Sequence, residues 1–242
     1  MIRTPQLCNP ECRPVPRLSI VIPALNAAET LAAVLASLAE AGAAGLDHEL
    51  ILVDGGSTDG TAALARAHRA RVLATAPSRG GQLAAGGAAA RGEWLLFLHA
   101  DTRLEPGWAG AADRFIADPD MRERAGVFRF ALDDGSAAAR RLERLVAWRT
   151  RALGLPYGDQ GLLIARAFYE RLGGFKSLPL MEDVDLVRRI GRRRIAVLEA
   201  RAITSAARYR SCGWLRQSAR NLACLALYYL GLPPRLIRYL YA

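Results

Sequence analysis

The sequence predicts an α/β fold, a mostly parallel sheet flanked by helices and followed by a helical C-terminal extension. Three observations predict it. From residue 18 onward, short apolar runs alternate with segments whose apolar residues recur at helical spacing, the rhythm of βα units with right-handed crossovers. The 242 residues are 52% hydrophobic, and no linker rich in proline, glycine or serine divides them, which suits one large domain. Four polar clusters follow the first four predicted strands at their C-terminal ends, the rim where ligands bind such sheets.

The elements follow in order. Residues 1–17, MIRTPQLCNPECRPVPR, hold four prolines and little apolar pattern, so they read as a flexible tail. LSIVIP (18–23) is a first strand, and NAAETLAAVLASLAEAG a helix that stops at Gly42. HELILVD (48–54) is a second strand, STDGTAALARAHRA a second helix and ARVLAT (70–75) a third strand. GGQLAAGGAAARG is a glycine-softened helix leading into a fourth strand, EWLLFL (93–98). AGVFRFAL (125–132) alternates like a half-buried strand, and AAARRLERLVAWRTRAL is helical. PYGDQGLLIARAFYERLGGF reads as a loop, a short strand and a helix closed by Gly173 and Gly174. LPLMEDVDLVRRIGRR starts a helix with three acids in its first turns, and IAVLEA is a strand. The remainder is helical, broken at Gly231-Leu232-Pro233-Pro234.

Composition narrows the function. No stretch reaches the roughly 18–20 apolar residues of a membrane span, and no signal-peptide pattern precedes LSIVIPAL, so a cytoplasmic protein is expected. Cys8, Cys12, Cys212 and Cys224 form no disulfide framework. Cys8-x3-Cys12 lacks a second ligand pair, which leaves free thiols in a reduced compartment. Net charge is +10, and twelve arginines between Arg188 and Arg238 face one acid, Glu199. That stripe suits an anionic partner, whether membrane phospholipid, nucleic acid or substrate phosphate; an arginine-rich solvated surface accounts for the same count. With no helix-turn-helix, zinc or aromatic stacking signature, nucleic acid is not expected.

The polar clusters carry the chemistry. In VDGGSTDGT (53–61), Asp54 ends a strand, Gly55 and Gly56 permit a sharp turn, and Ser57, Thr58 or Asp59 can cap the next helix. Neither a P-loop ending nor the glycine pattern of dinucleotide folds is present. Asp54 suits an N–H on a nucleobase edge, although a plain capped turn has the same look. LLFLHADT (95–102) ends an apolar strand in His99 and Asp101, two residues able to bind a metal. In MEDVDL (181–186), crowded acids raise one another's pKa values and make a better general base of one of them. Glu182 and Asp185 share a helix face, with Asp185 placed to pair with Arg188 or Arg189, while Asp183 points about 100° away. Acids also favour any helix N-terminus.

SIVIPALN, ILVDGGSTDGT, LLFLHADT and MEDVDL, in that order, resemble the family-2 glycosyltransferases of the GT-A (Rossmann-like) fold, most nearly the short single-domain bacterial type. The likeness covers most of residues 18–210, with a nucleotide-binding half at 18–104, an acceptor half at 105–210 and residues 211–242 as C-terminal amphipathic or apolar helices. It implies an inverting transfer from a nucleotide sugar, with a UDP-sugar as the expected donor, to a hydroxyl acceptor. Pro23, Ala24 and Asn26 would line the nucleotide pocket with Ala100, Asp54 would meet the base, and Arg79 would lie near the nucleotide. The family's Asp-x-Asp motif falls on His99-Ala100-Asp101, so Asp101 is the implied ligand of Mn²⁺ or Mg²⁺. His99, where the family has aspartate, is open to ligating metal, bonding the ribose or phosphate, or packing. Asp183 is the implied general base, with Glu182 orienting the acceptor.

Asp159 and Gln160 in YGDQG are expected to touch sugar hydroxyls, a structural turn being the alternative. RQSARN (216–221) has the spacing of the Gln-x-x-Arg-Trp motif of processive members, with Asn221 in place of tryptophan. Arg216 or Arg220 would then neutralise diphosphate. The following LACLALYYLGL, with its arginines and tyrosines, suits a membrane interface on the inner face of the cell, a helix packed on the core, or a homodimer contact. A lipid-linked acceptor and a soluble one fit equally. A sugar-nucleotide nucleotidyltransferase would need a glycine-rich basic loop after the first strand, which PALNAAET lacks. A non-catalytic nucleotide binder remains the reading if His99 cannot serve.

Overall fold

The computed structural model describes residues 15–241. The predicted tail up to residue 14, with Cys8 and Cys12, lies outside them. Four strands, β1 (Leu18–Ala24), β2 (His48–Asp54), β3 (Arg71–Ala74) and β4 (Trp94–Phe97), pair in parallel. Their crossovers are α1 (Ala28–Ala43), α2 (Thr61–Ala67) and α3 (Arg79–Ala89). Every residue of β1 is buried, as expected of a central parallel strand covered on both faces. The glycines that soften α3 have a packing role. A Cβ on Gly86 would stand 2.3 Å from Val21 Cγ1, so only glycine lets α3 lie this close to β1.

The second half completes the sheet with β5 (Thr102–Leu104), β6 (Ala125–Leu132), β7 (Leu162–Ala165) and β8 (Ile195–Thr204). The order is β3-β2-β1-β4-β7-β6-β8-β5. β7 runs antiparallel to both β4 and β6, β8 parallel to β6, and β5 antiparallel to β8. The mostly parallel sheet is therefore as predicted, with its antiparallel pairings in the later half. Helices α4 (Trp108–Ala117), α5 (Ala137–Leu153) and α6 (Arg166–Arg171) cover it. Trp94 and Phe115 meet edge to face at 5.7 Å in the core.

Several boundaries differ from the sequence expectation. α1 runs through Gly42 to Ala43, and the turn comes at Gly45, whose φ of 72° is the left-handed conformation glycine tolerates. α2 begins only at Thr61, because Asp59 Oδ1 accepts hydrogen bonds from Thr61 N and Oγ1 and holds 57–60 as a turn. Neither β5 nor α4 is predicted. β5 is three residues long, and its partner Thr204 lies a hundred residues downstream, so no local pattern announces it.

The chain ends in α7 (Glu182–Ile190), α8 (Ala207–Cys212), α9 (Trp214–Tyr229) and α10 (Pro234–Tyr241). Cys224 and Leu225 of α9 and Ile237 of α10 form one buried cluster with Met181 and Val184 at the start of α7. The C-terminal helices are thus packed on the helix that carries the acids. Among the described residues no helix is long and apolar enough to cross a membrane. Cys212 and Cys224 are free thiols.

Candidate active site

The C-terminal ends of β1, β2 and β4 open a rim braced from below. Gln82 of α3 donates from Nε2 to both Ala24 O and Val53 O at 2.8 Å, which ties the ends of β1 and β2 together. Beyond β1, Asn26 adopts φ 48°, its Oδ1 accepts from Thr58 N at 2.9 Å and its own N donates to Ser57 Oγ at 2.8 Å. Thr30 Oγ1 donates to Ala100 O at 2.8 Å, which seats the loop after β4 against α1. The result is an open hollow of about 440 Å³ lined by Pro23, Ala24, Asn26, Arg79, Ala100 and their neighbours. Asp54 sits beneath this wall, 8% exposed, with Oδ1 accepting from Ser57 N and Oγ.

A second cleft, about 160 Å³, lies on the other side of Arg79, His99 and Asp101, and these three residues line both chambers. Its walls carry Tyr157, Asp159, Glu182 and Asp183. The 158–160 turn and the start of α7 meet at Gly158, whose N donates to Asp183 Oδ2 at 2.8 Å. A Cβ there would fall 2.6 Å from His99 Nε2, so glycine is what lets the turn lie against the His99 ring after β4. Met181, immediately before the acids, holds φ 62°. For a non-glycine residue that conformation costs energy, and here it aims the first turn of α7 into the cleft.

Electrostatics separate the acids. Burial pushes the Glu182 carboxyl up to about 7, with Asp183 adding to the rise and Arg79, at 3.9 Å, opposing it. Burial likewise lifts Asp159 to about 6 against the pull of Arg149, with Asp183 and Asp101 adding to the rise. For Asp185, ion pairs and hydrogen bonds with Arg189 and Lys176 outweigh burial and hold the carboxyl below its usual range. Asp185 is therefore committed to structure, as its predicted pairing with Arg189 required. Burial, with Arg79 beside it, lowers His99 to about 4 even though Asp101 and Asp183 pull the other way. A neutral imidazole at pH 7 follows.

Two predicted site residues are misplaced by the sequence reading. Gln160 is buried away from the cleft, accepting from Thr150 Oγ1 and donating to Phe128 O, both at 3.0 Å. It braces α5 against β6 and touches no sugar-sized space. Arg216 projects to solvent from α9 and lines neither chamber. Arg220 acts at one remove, donating to Gln217 Oε1 at 2.6 Å. Gln217 and Asn221, joined by a 2.9 Å hydrogen bond, do line the cleft, with Arg208 and Tyr209. The sequence reading missed all four as lining residues. The motif spacing had marked the segment, but a single turn of helix decides which of its residues faces inward.

The donor set suits a hard divalent cation. Asp101 offers an exposed carboxylate, His99 beside it is neutral, and Asp159 Oδ1 is buried in the same wall without a hydrogen-bond partner. No group of three or more such side chains closes around one point among the described residues. A cation here would share its coordination between Asp101, His99 and phosphate oxygens of a ligand.

Known proteins share the family and the fold. Residues 19–148 match the family described as Glycosyl transferase family 2. The PGL/p-HBAD biosynthesis glycosyltransferases of Mycobacterium tuberculosis (strain ATCC 25618 / H37Rv) and Mycobacterium bovis (strain BCG / Pasteur 1173P2) are 42% identical over 102 residues. The match spans only 37% of this chain and 37% of theirs. The fold is similar to that of S. aureus TarS 1-349, with TM-score 0.62 and 17% identity over 86% of this chain and 64% of that one. It is similar also to glucosyl-3-phosphoglycerate synthase from M. tuberculosis, with TM-score 0.62 and 23% identity over 90% of this chain and 82% of the other. A structure of that synthase holds Mn²⁺ and UDP-glucose. With the family match extending over more than half of the chain, and a GT-A sheet carrying two chambers at its C-terminal rim, this chain belongs to glycosyl transferase family 2.

Proposed function

We propose that the chain transfers a sugar from a nucleoside diphosphate sugar, with a UDP-sugar as the favoured donor, to an acceptor hydroxyl, with inversion at the anomeric carbon. One observation carries the reading: Arg79, His99 and Asp101 stand where a nucleotide-sized hollow and an acid-lined cleft share a wall. A diphosphate at that wall would leave its nucleoside over Pro23, Ala24 and Asn26 and its sugar facing Asp183. Asp54 lies below the hollow, so a contact with the base requires Ser57 to yield. Asp183 is held by Gly158 N and Val184 N, and each carboxylate oxygen keeps a second lone pair. It takes the proton of the acceptor hydroxyl as that oxygen bonds to the anomeric carbon, and the departing diphosphate keeps the electrons of the broken bond. Glu182, protonated in part near pH 7, can donate a hydrogen bond to a sugar or acceptor oxygen. Arg79 faces the charge that grows on the leaving group. Held by Asp101 and His99, Mn²⁺ or Mg²⁺ would supply further neutralisation of that charge.

Calorimetric titration of UDP, GDP and ADP, with Mn²⁺ and with chelator, tests the donor side. Selective binding that needs the metal supports the reading and names the base. Absence of binding under both conditions sinks it.

A further inference from the structure

α9 buries Cys224 and Leu225 but carries a second, exposed apolar stripe on its outward side. Leu215, Leu222 and Tyr229 stand at a seven-residue repeat and are 87%, 66% and 48% exposed. Ala219 and Ala226, between them on the same stripe, are exposed too. The polar residues Gln217 and Asn221 face inward instead, toward the cleft. An ordinary surface helix buries its apolar stripe and wets its polar one. α10 buries Ile237 in the ordinary way but also leaves Leu236, Tyr239 and Leu240 exposed at i, i+3 and i+4. Because both helices turn their buried sides to the same cluster with Met181 and Val184, their exposed stripes both point away from it. Exposed apolar stripes of this kind mark an interaction site.

Charge identifies the occupant. Residues 200–242 contain seven arginines and no aspartate, glutamate or lysine. Arg216, Arg235 and Arg238 are exposed on these two helices, and Arg238 lies 5.9 Å over the ring of Tyr239. A second copy would set one acid-free cationic patch against another, an arrangement that like-charge repulsion opposes. A bilayer surface offers hydrocarbon for the leucines, an interfacial zone for the tyrosines and anionic headgroups for the arginines within one shallow layer. Neither helix is long and apolar enough to cross it.

We propose that the outward face of α9 and α10 docks on an anionic lipid bilayer, both helices lying in the plane of the interface. The proposal does not rest on sugar transfer. Its geometric consequence is that the bilayer sits behind α7, one helix diameter of about 10 Å from the turn that carries Glu182 and Asp183.

Flotation of the full chain with vesicles tests it. With phosphatidylcholine vesicles containing about one-third phosphatidylglycerol, the protein is expected to float at low salt and to dissociate as salt rises. Binding to pure phosphatidylcholine should be at least roughly tenfold weaker, and Arg235→Gln with Arg238→Gln should cost about tenfold on the anionic vesicles. Leu222→Glu with Leu236→Glu should abolish flotation while leaving nucleotide binding and the melting temperature unchanged, since neither side chain is buried. If that double variant melts early, the single change Leu240→Glu gives the same readout from the last turn. Failure to float, or flotation that survives the leucine substitutions, overturns the proposal. So does a concentration-dependent dimer that Leu222→Glu disperses while vesicles bind nothing, which would assign the surface to a second copy.

Discussion

Asp183 and Glu182 are adjacent in sequence, yet the fold gives them different surroundings. Asp183 lies at the junction with Gly158 and near His99, whereas Glu182 is 2% exposed beside Arg79. Asp183→Asn keeps the shape and removes the proposed base, so turnover is expected to fall by about 10²–10⁴-fold while calorimetric donor binding changes little. Unaltered turnover would remove Asp183 from that role. Asp101→Ala is expected to weaken nucleotide binding in Mn²⁺ at least about tenfold, with no effect in chelator, since a lost ligand matters only when the metal is present. Glu182 predicts a pH effect on stability. Its folded pKa of about 7 lies above the ordinary value of 4.5. Between those values the folded chain keeps a proton that the unfolded chain releases. Stability therefore falls as pH rises through that window and levels off above it. Glu182→Gln should remove this slope, so the variant gains on the parent between pH 4.5 and 8, by at most on the order of 3 kcal/mol. Parallel melting curves across that range would refute the buried-carboxyl account.

At the scale of the element, function depends on how closely backbones approach one another. The 158–160 turn can lie against the His99 ring only because position 158 has no side chain. Gly158→Ala should displace His99 or shift the turn that donates to Asp183, reducing turnover by more than tenfold, on the order of the loss from a small active-site displacement. The melting temperature should move little, because the turn is not core. Gln82 plays the complementary part on α3. Gln82→Ala removes the side-chain donor shared by Ala24 O and Val53 O and leaves Ala24 O its bond from Gly55 N, which predicts about 1–3 kcal/mol of destabilisation in a denaturant titration. Most elements were legible in the sequence because their signals are local: the strands β1, β2 and β6, the helix α5 from Ala137 to Leu153, and the break before α10 all lie where periodicity and turn residues put them. β5 and the last four residues of β8 were not, since β5 is a strand only through its pairing with β8, and that end of β8 is fixed by β6 and β5, both distant in the chain.

At the scale of the molecule, the C-terminal helices complete the cleft. α9 supplies Gln217 and Asn221 to its wall, and α9 and α10 together bury Met181 and Val184 at the root of α7. A chain ended at residue 210 should therefore lose both the melting cooperativity of the α7 region and turnover. Undiminished turnover in that truncation would show the acids to be held without them. The inward and outward sides of α9 divide its work, one facing the cleft and the other the apolar, arginine-flanked surface.

By itself the sequence determined the α/β class, the parallel first half of the sheet and the rim that carries the site, because strand and helix periods and the residues ending each strand are local properties of the chain. It also placed Asp101 at that rim, and the family resemblance carried by its ordered motifs singled out Asp183 and Glu182. Only the tertiary structure decided that Gln160 braces the interior, that Arg216 faces solvent while Gln217 and Asn221 face the cleft, and that Glu182 is the raised acid of its trio. The physical reason is the same in each case. Burial, facing direction and pKa are set by neighbours brought together from distant parts of the chain, and no window along the sequence contains them.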